Sequence, residues 1–168
     1  MKVFVVSDTH IGHRNIIKFT DSNGQRIRPF ESLDDMHSIL LNNWNSVVSD
    51  DDIVYHLGDV GFHRVVTADF LSKAKGKKHL ILGNHDNFPM SFYEGYFNSI
   101  KVSKRFTLSD GTKLMLSHYP IHDFSLHGLD VNVHGHIHDK VIPNDKYKNV
   151  SVENIGFCPI EIEGVMKL

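Results

Sequence analysis

The sequence predicts an α/β fold with mixed β-sheets, and three observations carry that prediction. Short β-branched runs alternate with helix-like patterns in the first half of the chain. Strand patterns dominate the second half, with one strong hairpin signal. No internal repeat, low-complexity tract or linker interrupts the 168 residues, so residues 1–168 are predicted to form one domain. A content of 40% hydrophobic and 23% charged residues supplies a core and argues against disorder.

The elements follow in chain order. Lys2 to Val6 is a short apolar run ending in polar residues, which reads as a buried strand. Leu33, Met36, Leu40, Trp44 and Val47 recur at helical spacing. Ser32 is a suitable N-cap, and Asp34 and Asp35 sit where the helix dipole favours them. Ile53 to Leu57 reads as a second strand. The stretch around Phe70 is a helix with lysines toward its end and Gly76 as the stop. His79 to Leu82 is a third buried strand. Residues 99–120 read as two strands joined at Asp110-Gly111. "DVNVHG" gives another strand, and "NVSVENI" and "PIEIEGV" give short alternating ones.

Bulk properties exclude several functions. A formal net charge of -2 advertises neither a nucleic-acid nor a membrane surface. No apolar run approaches the length of a bilayer span, and Val3 to Val6 is too short for the core of a signal peptide. The lone Cys158 excludes an internal disulfide and fits a reducing compartment, so a cytoplasmic location is expected. The unusual number is thirteen histidines, more than a solvated surface requires.

Many of these histidines stand at strand ends. Asp8 and His10 follow the first strand and Asp59 the second. Asn84 and His85 follow the third. His118 follows "KLML", and His136 and His138 follow "VNV". In open α/β sheets ligands bind beyond the carboxyl ends of the strands, so a shared edge would bring all these side chains together. Imidazole, carboxylate and amide oxygen suit borderline divalent ions such as Mn²⁺, Fe²⁺ or Zn²⁺, with Ni²⁺ a further candidate; Ca²⁺ would want oxygen alone.

The ordered set Asp8-x-His10, Gly58-Asp59, Gly83-Asn84-His85-Asp86, His118 and Gly135-His136-x-His138 resembles the calcineurin-like metallophosphoesterases. Any one of these motifs is weak alone; five in order are specific. The chain is most similar to the short members of bacteria and their viruses that lack an added cap domain. The resemblance implies a four-layer αββα sandwich of two mixed sheets and a centre of two divalent ions, Mn²⁺ foremost. Asp8, His10 and His138 would hold one ion, Asn84, His118 and His136 the other, and Asp59 would bridge them. A bridging hydroxide would attack the phosphoester. His85 would stand beside the phosphoryl group and protonate the leaving oxygen, with Asp86 orienting its imidazole. With both ions, the two aspartates and a hydroxide counted, one formal positive charge is left, which matches a phosphodiester.

The implied function is therefore a phosphodiesterase acting on a small nucleotide-type or other diester. A nuclease on DNA or RNA, a phosphomonoesterase and a non-catalytic metal-binding scaffold are the alternatives. The lack of a basic stripe counts against nucleic acid. His13, Arg14, His63, Arg64 and His122 are candidate substrate contacts. His134, on the opposite strand face from its neighbours, is expected to pack, and His37, His56, His79 and His127 to be structural. Lys73 to His79 reads as a solvated helix end, and the aromatics between Phe88 and Phe97 as core or lid packing.

Overall fold

Val3–Val6 (β1) is apolar on both faces, so it needs cover on both, and Phe4, Val5 and Val6 are buried. The computed structural model describes residues 1–168 and places β1 between two neighbours. One is Ile53–His56 (β2), in parallel register; the other is Ile160–Glu161 (β9), antiparallel. Lys77–Ile81 (β3) and Ser99–Lys101 (β4) extend the sheet to the order β4-β3-β2-β1-β9. The second sheet runs Ser103–Thr107 (β5), Lys113–Ser117 (β6), Val131–His134 (β7) and Tyr147–Asn149 (β8), with only the β5–β6 pair antiparallel. Both sheets are mixed, as predicted, and a single cluster of 31 buried residues draws on both.

Leu33–Val47 (α1) begins as the sequence implies, with the Ser32 hydroxyl accepting from the Asp35 N–H at 3.0 Å. Its apolar face buries Met36, Leu40 and Trp44. The Trp44 indole N–H donates to the Lys75 carbonyl at 2.9 Å, which ties α1 to the chain leaving Arg64–Lys73 (α2). The second helix stops at Lys73, short of Gly76, because Ala74 already has extended backbone. Lys73 pairs with Asp69, and Lys78 donates to the Ala74 and Gly76 carbonyls, so the lysines serve the helix end. No helix is long and apolar enough to cross a membrane.

Three local readings change. "SIKVSKRFT" is two strands, since the chain passes from one sheet to the other at the exposed Val102. "NVSVENI" leaves its strand at Asn149 and enters a 3-10 turn over Val152–Asn154, and β9 likewise runs into one over Ile162–Lys167. A short helix, Met90–Glu94 (α3), forms within the aromatic cluster, where Phe92, Tyr93 and Phe97 are buried. All three α-helices belong to connections of the first sheet. The crossover from β6 to β7 has only the 3-10 turn Asp123–Leu126.

His56 carries a testable consequence. Buried on β2, its Nε2 lies 2.9 Å from the Thr9 hydroxyl, and its Nδ1 accepts from the Gly58 N–H at 3.2 Å. The Thr9 hydroxyl is already donating to Val60, so it accepts from Nε2–H, and a proton on Nδ1 would face another N–H. Burial pushes the His56 pKa down from 6.5 to about 3. The unfolded chain thus binds a proton below its ordinary pKa that the folded chain refuses until far lower pH. This stability is complete above that ordinary pKa and is lost as pH falls toward the folded value. In metal-free protein, unfolding free energy should fall at up to about 1.4 kcal/mol per pH unit from this group. Denaturant titrations of wild type and His56→Gln at pH 7, 5.5 and 4.5 check it; equal slopes would refute it.

Candidate metal centre

The ends of the two sheets are joined at one point. The Ser7 N–H donates to the Val150 carbonyl at 2.9 Å, and the Val152 N–H donates to the Ser7 carbonyl at 3.1 Å. The chain after β1 is thereby held against the chain after β8. The segments after β2, β3, β6 and β7 open onto the same place. Asp8, His10 and His138 bring one ligand atom each to within 4.8 Å of one another, as do Asp8, Asp59 and His118. The two oxygens of Asp59 face the two halves of the cluster: Oδ2 lies 3.6 Å from His10 Nε2 and Oδ1 3.5 Å from His118 Nε2. Asn84 Oδ1 is 2.9 Å from His118 Nε2, and the His136 ring is 5.1 Å from that of His118. The structure brings all seven together.

The backbone turns sharply to achieve this. Asp8, His10, Asp59, His136 and His138 all have left-handed conformations, with φ between 50 and 71°. Such values are uncommon outside glycine and cluster at functional sites. Two glycines allow the loops to touch. A Cβ on Gly135 would lie 2.3 Å from Asp8 Oδ2, and one on Gly83 would lie 2.2 Å from Asp59 Oδ1.

Hydrogen bonding aims the free atoms inward. Asp8 Oδ2 accepts from the His136 N–H and the Ser151 hydroxyl, each at 2.9 Å. Its other oxygen, Oδ1, is buried without a partner, as are both ring nitrogens of His10. His118 Nδ1 lies 2.8 Å from the Leu57 carbonyl, which can only accept, so Nδ1 carries the hydrogen. In the neutral ring, Nε2 then presents a lone pair to two further acceptors, Asn84 Oδ1 and Asp59 Oδ1. Acceptors facing acceptors, together with unpartnered buried oxygen and nitrogen, are what a divalent cation satisfies. Burial holds His10 down to about 4, so its ring is neutral and able to ligate. Burial alone would raise the Asp8 pKa, but the His10 ring 3.5 Å from Oδ1 and the nearby His118 and His138 imidazoles keep it well below the carboxylate range. The donor set fits metal.

His85 stands at the rim, exposed, with its ring 5.9 Å from His10 and 4.8 Å from Phe62. Asp86 is a correction. Its carboxylate does not touch that imidazole; Oδ2 accepts from the Gly83 and Asp59 N–H groups at 2.8 and 2.9 Å, and Oδ1 from Val60 at 2.9 Å. It clasps the turn after β3 to the turn after β2, so it acts on the site through backbone. His13 does border the cluster, 5.7 Å from His10 and 4.3 Å from Phe62. Arg14 is exposed. His63 caps α2 and packs against Gly12, Arg64 lies over the Phe92 ring, and His122 caps a 3-10 turn beside Phe124. His134 is fully buried against Tyr147, while His37 accepts from Gly12 and His79 pairs with Ser99.

Sequence reasoning missed Arg28, Ser151 and Glu153, all beneath the site. Ser151 and Glu153 could have been found, since they are a further polar group after a strand, the pattern that marks the others. Arg28 sits in a polar loop with no such signal.

The model of the calcineurin-like phosphoesterase superfamily domain matches residues 1–159. An uncharacterized protein of Methanocaldococcus jannaschii, MJ1445, is 34% identical over 177 residues, covering 99% of this chain and 90% of that protein. The gene 66 protein of Mycobacterium phage D29 is 31% identical over 83% of this chain and 80% of its own. A crystal structure of a protein of unknown function from Aquifex aeolicus, AQ665, aligns with a TM-score of 0.76 at 26% identity, covering 99% and 98% of the two chains.

Proposed function

Because the chain belongs to the calcineurin-like phosphoesterase superfamily, we propose that it is a phosphodiesterase acting on small, nucleotide-type diesters with two divalent ions, Mn²⁺ foremost. The observation that carries this reading is the convergence of Asp8, His10, Asp59, His118 and His138, with Asp8 Oδ1 and both His10 ring nitrogens buried and unpartnered. Asp8, His10 and His138 would hold one ion, and Asn84, His118 and His136 the other. Asp59 would be shared, its two oxygens turned to opposite halves. Two divalent ions, when bound, supply Lewis acidity and a water that ionises near neutral pH.

The chain's own groups do the rest. His118 is held in one tautomer by the Leu57 carbonyl and His138 by Glu153. Phe62 and His13 wall one side of the cluster and keep bulk water from the His10 face. His85, exposed at the rim, would meet the substrate phosphoryl group and give a proton to the leaving oxygen. A cytoplasmic setting is proposed on the single Cys158, which has no disulfide partner.

The test is a panel of phosphomonoesters, linear diesters and cyclic nucleotides, assayed after chelation and again with Mn²⁺ restored. Activity is expected to vanish with the chelator, return with Mn²⁺ and favour diesters. Full activity in the metal-free sample would sink the metal reading, and a clear monoester preference would overturn the substrate class. Oligonucleotide binding that weakens steeply with salt would favour a nuclease instead.

A further inference from the structure

Beneath the proposed first ion lies a buried charged pair. Arg28 comes from the loop before α1 and is fully buried, and the Glu153 side chain is nearly so. The guanidinium reaches two places. Its Nη1 donates to the Thr9 carbonyl at 3.0 Å, and its Nη2 donates to the Asp8 carbonyl. Its Nε and Nη2 also reach Glu153 Oε1, each at 2.8 Å. The same Oε1 lies 2.9 Å from His138 Nδ1. A single buried cation thus holds the left-handed turn that carries Asp8 and His10 and, through Glu153, the left-handed turn that carries His138.

We propose that Arg28 and Glu153 are positioning residues for one ion, fixing the Asp8–His10 turn and the His138 tautomer so that Asp8 Oδ1, His10 Nε2 and His138 Nε2 converge. The inference rests on the metal reading given above. Its logic is directional. A carboxylate only accepts, so the bond to Glu153 places the hydrogen on His138 Nδ1 and leaves Nε2 with its lone pair toward Asp8 and His10. Burying an arginine and a glutamate is costly, and apolar residues of similar volume often replace such pairs with no loss of stability. The contacts of this pair fall on the turns that carry Asp8, His10 and His138. Asn84, His118 and His136 touch neither residue, so the second ion should be indifferent to it.

The experiment uses Mn²⁺ and the full chain. Calorimetric titration of metal-free wild type is expected to show two Mn²⁺ sites, and ¹⁵N shifts of His138 should report the Nδ1–H tautomer. The double variant Arg28→Met/Glu153→Leu should melt near the wild-type temperature, mix its His138 tautomers, and bind one Mn²⁺ about 10–100-fold more weakly with the other unchanged. Glu153→Gln keeps an acceptor oxygen and should fall between the two. Unchanged affinities for both ions in the folded double variant would overturn the inference. So would an Nε2–H tautomer of His138 in metal-free wild type, a measurement that needs no variant and decides the matter if the double variant does not fold. Failure of wild type to bind any Mn²⁺ would overturn the metal reading itself and the inference with it.

Discussion

Asp59→Asn is expected to leave a folded protein with one bound ion or none, and to lower phosphoesterase turnover by more than the roughly 10–100-fold that removal of an outer partner costs. Asp59 is 1% exposed, and its oxygens lie 3.6 Å from His10 Nε2 and 3.5 Å from His118 Nε2. Its two oxygens thus face the two halves of the cluster. Asparagine has the same shape but turns an NH₂ toward one of them and removes a charge that two cations share. Elemental analysis checks this directly. Two ions in the purified variant would contradict the shared role, and a smaller loss than in His136→Ala would show that the terminal ligands matter more.

His85→Ala is expected to have the opposite signature: two ions retained and kcat lowered by roughly 10²–10⁴, the worth of a positioned general acid. The turn should survive the change because the contact from His85 to the site is its backbone N–H, donating to Asp59 Oδ1 at 2.9 Å. Asp86 clasps the same turn through three further N–H groups, none of them supplied by the imidazole. The loss should shrink for a nitrophenyl ester, whose leaving group departs without a proton. Loss of metal would make the ring a ligand, and full rate on an alkyl diester would remove it from the chemistry.

Much of this was legible in the residues because ligands of this kind announce themselves by type and spacing. A strand that stops at Asp8 or His136 stops on a group that needs a partner, and five such endings in one chain are hard to read otherwise. Ser32 and Gly135 were legible for the same reason, each having one dominant local use. What was not legible depends on tertiary placement. The break at Val102 follows from one strand lying at the edge of each sheet, which local periodicity does not encode. Asp86 was read beside its chain neighbour, whereas its acceptors were taken up by amides of the β2 turn. Arg28 lies 125 positions from Glu153, and nothing local marks a buried guanidinium among polar residues.

The left-handed backbone at Asp8, His10, Asp59, His136 and His138 also limits how this protein can drift. At each of these positions a codon change is screened twice, once by the ligand chemistry and once by the conformational cell. Aspartate, asparagine, histidine and glycine pass the second screen most easily, while β-branched residues are outliers there. Descendants of this chain can therefore exchange Asp, Asn and His among these sites far more readily than they can recruit a threonine. Novelty in substrate or partner is left to the exposed rim, where Phe62 and Tyr119 carry no such restriction. Lineages should diverge at the mouth of the site while its floor keeps the same few letters.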